Sequence, residues 1–458
     1  MSIAAAEPLE PLPRPPSPDR PLGALGMIRA LRENSIGVYG PDAYANPFST
    51  LKLGWQHFVL LNQPDYIQHV LVGNHANYHK GRIIRQILGP ALGEGLLTAE
   101  GDTWRRNRRI AAPAFLPRRL GHVAEVVVEE SERMLDAWAG RNEPFDIGKD
   151  MMGLTMSVVA RALFSRDIAG LVDTLGPAIT TLIEGFGRVS AIDLVGLQEW
   201  LPRLHGRETR EALKTVETTI YDIVRERRAN PDDTRDDLLQ MLLDARDEET
   251  GEGFSDKQLR DELITIFAAG HETTAVALAW VWLMLDRHPS VREKLETELD
   301  TVLGGRAPTY ADLEAMPYGR MVFEETMRLY PPAFNINRVA LKDDEVDGQR
   351  IPAGSIVSMS PWVTHRNPTL WPDPERFDPE RFRPELVKQR HKYAYLPFGG
   401  GPRICIGNGF ALLEGRLVLA TLAQKYRLRA EPGQHIVPQA RITLRPNPGV
   451  MVRLEART

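Results

Sequence analysis

The chain has 458 residues, 43% of them hydrophobic and 26% charged, with a formal net charge of −5. That is ample apolar material for a deep core, and the negative balance argues against nucleic acid as a partner. Its one cysteine, Cys405, excludes a disulfide within the chain and an iron–sulfur cluster built from its own thiols, a usage that agrees with a cytoplasmic location.

Residues 1–21 are proline-rich and hold no apolar run long enough for a signal-peptide core or a membrane anchor, so they are expected to form a disordered lead-in. Residues 22–458 read as one unit, mainly α with small β-sheets, an α+β chain without internal repeats. Ser255-Asp-Lys-Gln258 and Ser290-Val-Arg-Glu293 both fit capping boxes, which predicts a helix opening at each serine. Between them, the stretch from Leu263 to Leu285 is long and apolar enough to cross a bilayer. His271 and Glu272 lie near its middle, however, where a carboxylate costs roughly 2.5–3.5 kcal/mol, so a long buried helix is predicted and no membrane span.

The centre of that helix, Ala269-Gly270-His271-Glu272-Thr273-Thr274, has an odd composition for a core. Mid-helix glycine costs roughly 0.5–1 kcal/mol relative to alanine, and a buried carboxylate costs more unless paired. Ala269 and Thr273 stand four apart and share a face, so a small side chain and a hydroxyl could line one narrow space. Gly270 is expected to let the helix bulge there. Further on, Glu325-Thr-Met-Arg328 places a carboxylate and a guanidinium within pairing distance just before Leu329-Tyr-Pro-Pro332 ends the helix. Val346-Asp-Gly348 followed by the 351–357 run predicts a turn and hairpin, and Asn447-Pro-Gly449 separates two alternating segments.

Cys405 lies in Phe398-Gly-Gly-Gly-Pro-Arg403-Ile-Cys405-Ile-Gly407. A lone thiol is usually a small buried hydrophobe, but these neighbours argue for more. Glycines would let backbone approach a flat partner, Phe398 offers a ring to pack beneath it, and Arg403 offers a guanidinium for a carboxylate. A helix starting near Gly407 would aim its amides at the sulfur and favour the thiolate, a form suited to iron.

The pattern Phe-x-x-Gly-x-Arg-x-Cys-x-Gly closely resembles the haem-binding loop of the cytochrome P450 family, and further motifs follow in that family's order over nearly the whole chain after residue 21. The resemblance implies non-covalent haem b with Cys405 as its thiolate ligand; no Cys-x-x-Cys-His is present. It makes Glu272 and Thr273 an acid–alcohol pair that relays protons, with Ala269 above the haem plane. Trp104, Arg108, Arg338 and Arg403 fall where the family places partners of the haem propionates, while Asn107 stands where some relatives carry histidine. Glu325 and Arg328, with Arg381 of Phe377-Asp-Pro-Glu-Arg381-Phe382, resemble a buried network that locks the cysteine-loop region.

Thr265, Ala268, Ala333, Phe334, Ile336 and Ile442 resemble pocket-lining positions, and their lack of charge implies a lipophilic substrate such as a fatty acid or terpenoid. The segment from Tyr78 to Leu97 is expected to cover the pocket, with Lys80, Arg82 and Arg85 available to a substrate carboxylate. The implied activity is a haem-thiolate monooxygenase that takes O2 and electrons from a separate ferredoxin or flavodoxin and hydroxylates or epoxidises its substrate. Arg105, Arg106 and Arg109 would either steer that acidic donor or form a solvated charge run. A haem-thiolate isomerase or peroxygenase would use Cys405 without a donor or this relay, and a non-catalytic haem-binding protein would leave the relay idle.

Overall fold

The computed structural model describes residues 12–19, 22–165, 169–186, 206–230, 235 and 237–457. Its axis is the helix Asp256–Arg287, 32 residues long. The capping box at Ser255 and Gln258 forms as predicted, satisfying amides that the first turn of any helix leaves open. The helix passes through the molecule packed against Ile147–Phe164, with Leu120–Trp138, Pro317–Leu329 and Asn408–Ala423 completing the main apolar core. A second core surrounds its N-terminal half, between Arg82–Leu92 and Arg207–Ala229. Among the described residues this is the one helix long and apolar enough to cross a membrane, and it is mostly enclosed by the protein.

A five-stranded sheet flanks the helices in the order Phe48–Leu53, Gln56–Leu61, Ile356–Met359, Ile336–Ala340, Tyr78–His79. The pairing of His79 with Val339 matters for the site, because it sets Lys80 beside Arg338. The predicted turn at Asp347 and Gly348 joins the paired strands Asp344–Val346 and Gln349–Ile351, both turn residues having positive φ. The segments on either side of Asn447-Pro-Gly449 enter different sheets: Leu444–Asn447 pairs with Val437–Ala440, and Met451–Ala456 with Tyr426–Ala430.

Two expectations are corrected. The helix Pro289–Leu303 starts one residue before Ser290, with Pro289 in its first turn, so Ser290 is already helical and caps nothing. Residues 12–19 of the expected disordered lead-in lie against the core: Pro13 and Pro15 are buried, the Pro13 carbonyl accepts from Tyr330 Oη at 3.2 Å, and Arg14 pairs with Glu375 at 3.2 Å. Prolines fix the backbone in an extended form and lower the entropy lost on docking. Residues 1–11, 20 and 21 lie outside the described residues.

Candidate active site

The cysteine loop is built by its own backbone. Cys405 N–H donates to Phe398 O at 2.9 Å, Gly399 N–H to Leu396 O at 3.0 Å, and Ile404 N–H to Gly401 O at 3.1 Å. Two of its glycines are required by contacts within the protein. Gly401 has φ +67°, and a Cβ there would lie 1.9 Å from Leu71 O; one on Gly400 would lie 2.5 Å from the Tyr393 ring. Gly407 has an ordinary φ of −89°, and a Cβ there would meet nothing within 4 Å. Cys405 sits deep in the protein but is open on one side, as a residue lining an internal cleft should be. Burial pushes its thiol up, against the opposing pull of the Gly407 amide and Arg108. The Gly407 amide, just before the helix Asn408–Ala423, donates toward the sulfur as expected from sequence, and burial works against it.

Facing the cleft from the long helix, Ala269 is exposed in an otherwise enclosed element, and Thr273 is half-buried on the same face. Thr273 Oγ1 donates to Ala269 O at 2.9 Å. Gly270 does not open the helix, which continues unbroken; a Cβ there would come 3.0 Å from Val159, so the glycine permits close packing on Ile147–Phe164. Glu272 points elsewhere than Thr273. It is buried and accepts, all on Oε1, from Thr443 Oγ1, Arg445 Nε at 2.9 Å and an Arg445 terminal nitrogen at 2.7 Å. The acid and the alcohol are adjacent in sequence but not in contact. His271, expected to take no part, is buried with Nδ1 2.9 Å from Phe267 O.

A cluster of cations forms one end of the cleft. Arg403 pairs with Glu100, donates to Ala99 O at 2.8 Å and lies 4.0 Å from the Trp104 ring centroid. Arg338 is largely enclosed and donates to the adjacent Asn337 O at 2.9 Å. Arg108 donates to Ile404 O at 3.0 Å, bracing the cysteine loop. Lys80 completes the group, and corrects its assignment to a substrate carboxylate. Its Nζ donates to Leu97 O at 2.7 Å, and burial, then Arg403 and Arg338, push it down to about 7. Sequence reading did not place Lys80 or Glu100 in this group: Lys80 is set beside Arg338 by the pairing of the edge strand with Ile336–Ala340, and Glu100, just before the helix that carries Trp104 and Arg108, meets Arg403. With Glu100 as their counter-charge, Arg108, Arg338 and Arg403, joined by Lys80 when it is protonated, carry an excess of partly buried positive charge that two carboxylates would neutralise. The donor set thus fits a haem with its propionates at this end and its iron at Cys405.

Of the pocket candidates, Ala333 is exposed and Ala268, Phe334, Ile336 and Ile442 are half-buried. Thr265 is enclosed beneath Gly95, where a Cβ would come 2.2 Å from its hydroxyl, so it does not face the cleft as Ala269 does. The Arg82 side chain lies outside the described residues. The arginine run is ion-paired within the chain: Arg106 and Arg109 turn to Asp247, Glu249 and Glu252, and Arg105 pairs with Asp102.

Beneath the site, Glu325 and Arg328 form a fully buried bidentate pair at 2.7 and 2.8 Å. Arg328 also donates to the carbonyls of His365, Pro374 and Arg376, while Asp378 N–H donates to Glu325. Arg381 approaches Glu325 at 3.6 Å, joining the network as expected. His365, unmarked by any motif, connects this network to the loop: Nδ1 donates to Arg328 O at 3.0 Å and Nε2 accepts from Leu396 N–H at 3.0 Å. Burial and Arg328 hold it well below the usual histidine range, which keeps the acceptor nitrogen free.

Glu414, nine residues after Cys405, is completely buried and pushed up to about 8 by that burial. The folded protein therefore holds this proton more tightly than the unfolded chain, and stability from this group falls as pH rises from 4.5 toward about 8. Glu414→Gln removes the titration. The variant is expected to gain stability over the parent between pH 6 and pH 8, by on the order of 1–3 kcal/mol in urea unfolding.

A family model described as Cytochrome P450 matches residues 29–453. Cyclooctatin synthase of Streptomyces melanosporofaciens is 40% identical over 403 residues, covering 88% of this chain and 87% of the relative. Cyclooctat-9-en-7-ol 5-monooxygenase of the same organism is 35% identical, covering 84% of this chain and 83% of the relative. Pentalenene oxygenase of Streptomyces avermitilis is 32% identical, covering 86% and 87%. Among solved structures, the cytochrome P450DA haem domain superposes with a TM-score of 0.83 at 24% identity, covering 98% of each chain, a likeness of fold.

Proposed function

This chain belongs to the cytochrome P450 family and is a monooxygenase of that family, and on that premise we propose that it oxidises a lipophilic terpenoid, with Cys405 holding the iron of haem b. What supports this class is that Ala268, Ala269, Ala333, Phe334, Ile336 and Ile442, the positions that the resemblance assigns to the pocket, are all uncharged and none of them is fully buried. Such side chains offer a hydrocarbon skeleton dispersion contacts, and none of these described positions offers an ion pair to a fatty-acid carboxylate. The terpenoid-modifying oxygenases among the relatives support the same class.

When bound, haem supplies the activation of dioxygen and the oxidation of carbon. The chain's own residues do the rest. Lys80, Arg338 and Arg403, with Trp104 against Arg403, would hold the propionates, and Arg108 donates to the Ile404 carbonyl beside Cys405, which would hold the iron. Bound iron would hold that sulfur as the thiolate, with the Gly407 amide and Arg108 favouring the same form. Thr273 presents a hydroxyl to the oxygen side of the cleft, and Glu272 is the proton reservoir behind it. Electrons are assigned to a separate ferredoxin or flavodoxin, since one cysteine supports no cluster in this chain.

The test is the absorption spectrum of purified protein reduced with dithionite and exposed to carbon monoxide, followed by turnover of cyclic terpene hydrocarbons. A strongly red-shifted Soret band that disappears in Cys405→Ala, with product formed only when ferredoxin, its reductase and O2 are supplied, is the expected result. Absence of the band sinks the thiolate assignment. Product formed equally well with hydrogen peroxide and no donor would favour a peroxygenase.

A further inference from the structure

The backbone of the loop at residues 93–98 rests directly on the second turn of the long helix. It joins the helix Arg82–Leu92, expected to cover the cleft, to the helix Gly101–Ala111, which carries Trp104 and Arg108. Glu94 N–H donates to Asp261 at 2.9 Å and Leu96 N–H to Glu262 at 3.0 Å. Nothing separates the two elements: a Cβ on Gly93, which has φ +59°, would lie 2.2 Å from the Asp261 carboxyl, and one on Gly95 would lie 2.2 Å from Thr265 Oγ1. Asn107 spans the junction from the third side, its Nδ2 donating to Glu262 Oε1 at 2.9 Å and to Glu94 O at 3.1 Å.

The chemistry of Glu262 is not that of an ordinary structural ion pair. Lys257 and Arg260 neutralise Asp261, at 3.0 and 2.6 Å, but what reaches the fully buried Glu262 is the Leu96 amide and the Asn107 amide, with Asp261 as a like charge beside it. A carboxylate in such a place costs free energy that its hydrogen bonds to the loop must offset. A side chain of this cost, aimed at a loop backbone rather than at a cation, has its use in holding that loop.

We propose that Asp261, Glu262 and Asn107 are positioning residues that clamp the 93–98 loop, and the covering helix with it, onto the long helix, and so set how fast substrate-sized molecules enter the cleft. The location of the cleft rests on the monooxygenase reading; the clamp itself does not. Glu262→Gln keeps the size of the side chain but turns an NH2 toward either the Leu96 amide or the Asn107 amide, so at least one bond is lost.

The experiment uses haem-loaded protein and follows amide hydrogen exchange, together with the binding rates of imidazole and of the bulkier 4-phenylimidazole as iron ligands. In Glu262→Gln, exchange across residues 93–98 is expected to rise at least about tenfold while the helix at 101–111 is unchanged. The binding rate should rise several-fold for 4-phenylimidazole and little for imidazole. Asn107→Ala, which leaves both carboxylates in place, should give the same pattern more weakly. Unchanged exchange at 93–98, or protection lost evenly over the whole chain, overturns the clamp. A normal carbon-monoxide band beside unchanged exchange sinks this inference alone, whereas a missing band with selective opening at 93–98 sinks the haem reading and leaves the clamp standing.

Discussion

Arg328→Ala is expected to destabilise the folded protein by on the order of 3–5 kcal/mol and to leave little haem-loaded material. Removing the guanidinium strands the Glu325 carboxylate in a site with no solvent contact and orphans three backbone carbonyls at once. Arg381 cannot substitute for it, since it stands 3.6 Å from Glu325 and is engaged with Asp373 O. The damage should travel to the cysteine loop through His365, which holds Arg328 O with one ring nitrogen and the Leu396 amide with the other. Arg328→Lys keeps the charge but not the fork that spans two carboxylate oxygens and three carbonyls, so only partial rescue is expected. The measurements are the ratio of haem to protein after purification and the thermal midpoint. Full haem content with a parental midpoint in Arg328→Ala would show that this network does not support the loop.

Features encoded by short-range patterns were legible in the sequence. The Ser255 capping box, the apolar run of the long helix and the turn at Asp347 and Gly348 depend on residues within a few positions of each other, and the cysteine loop has fixed internal spacing. What resisted reading depends on partners far away along the chain. Gly401 and Gly270 look like room for a ligand, yet one is required by the Leu71 carbonyl and the other by Val159. The excess charge at Arg338 and Arg403 could be guessed, but Lys80 reaches it only through strand pairing, and Glu100 only through its contact with Arg403, far along the chain. Ser290 misled because a serine followed by glutamate three residues on satisfies the cap pattern equally well inside a helix that Pro289 has already begun.

Glu272→Gln is expected to lower kcat by roughly a hundredfold while leaving the carbon-monoxide band and substrate affinity close to those of the parent, since a positioned proton donor typically contributes 10²–10⁴ in rate. Glu272 sits one residue from Thr273, about 100° around the helix, so it faces the C-terminal strand instead of the cleft. Arg445 and Thr443 fix it there through Oε1, and Arg445 is itself partly open to solvent, which links the buried acid to the outside. Delivery to Thr273 therefore requires the carboxylate to turn away from Arg445 or to act through water, and either step depends on the carboxylate's charge. Thr273→Ala should behave differently: electron consumption continues, but product per NADH falls by about tenfold and the difference appears as hydrogen peroxide. Arg445→Leu leaves the acid buried without its cation, so the folded protein should lose stability and turnover should fall with it. Measuring NADH, O2, peroxide and product together for the three variants separates these cases. If Glu272→Gln turns over like the parent, protons reach the cleft by another route, and the Glu272–Arg445 pair is a tether between the long helix and the C-terminal hairpin and nothing more.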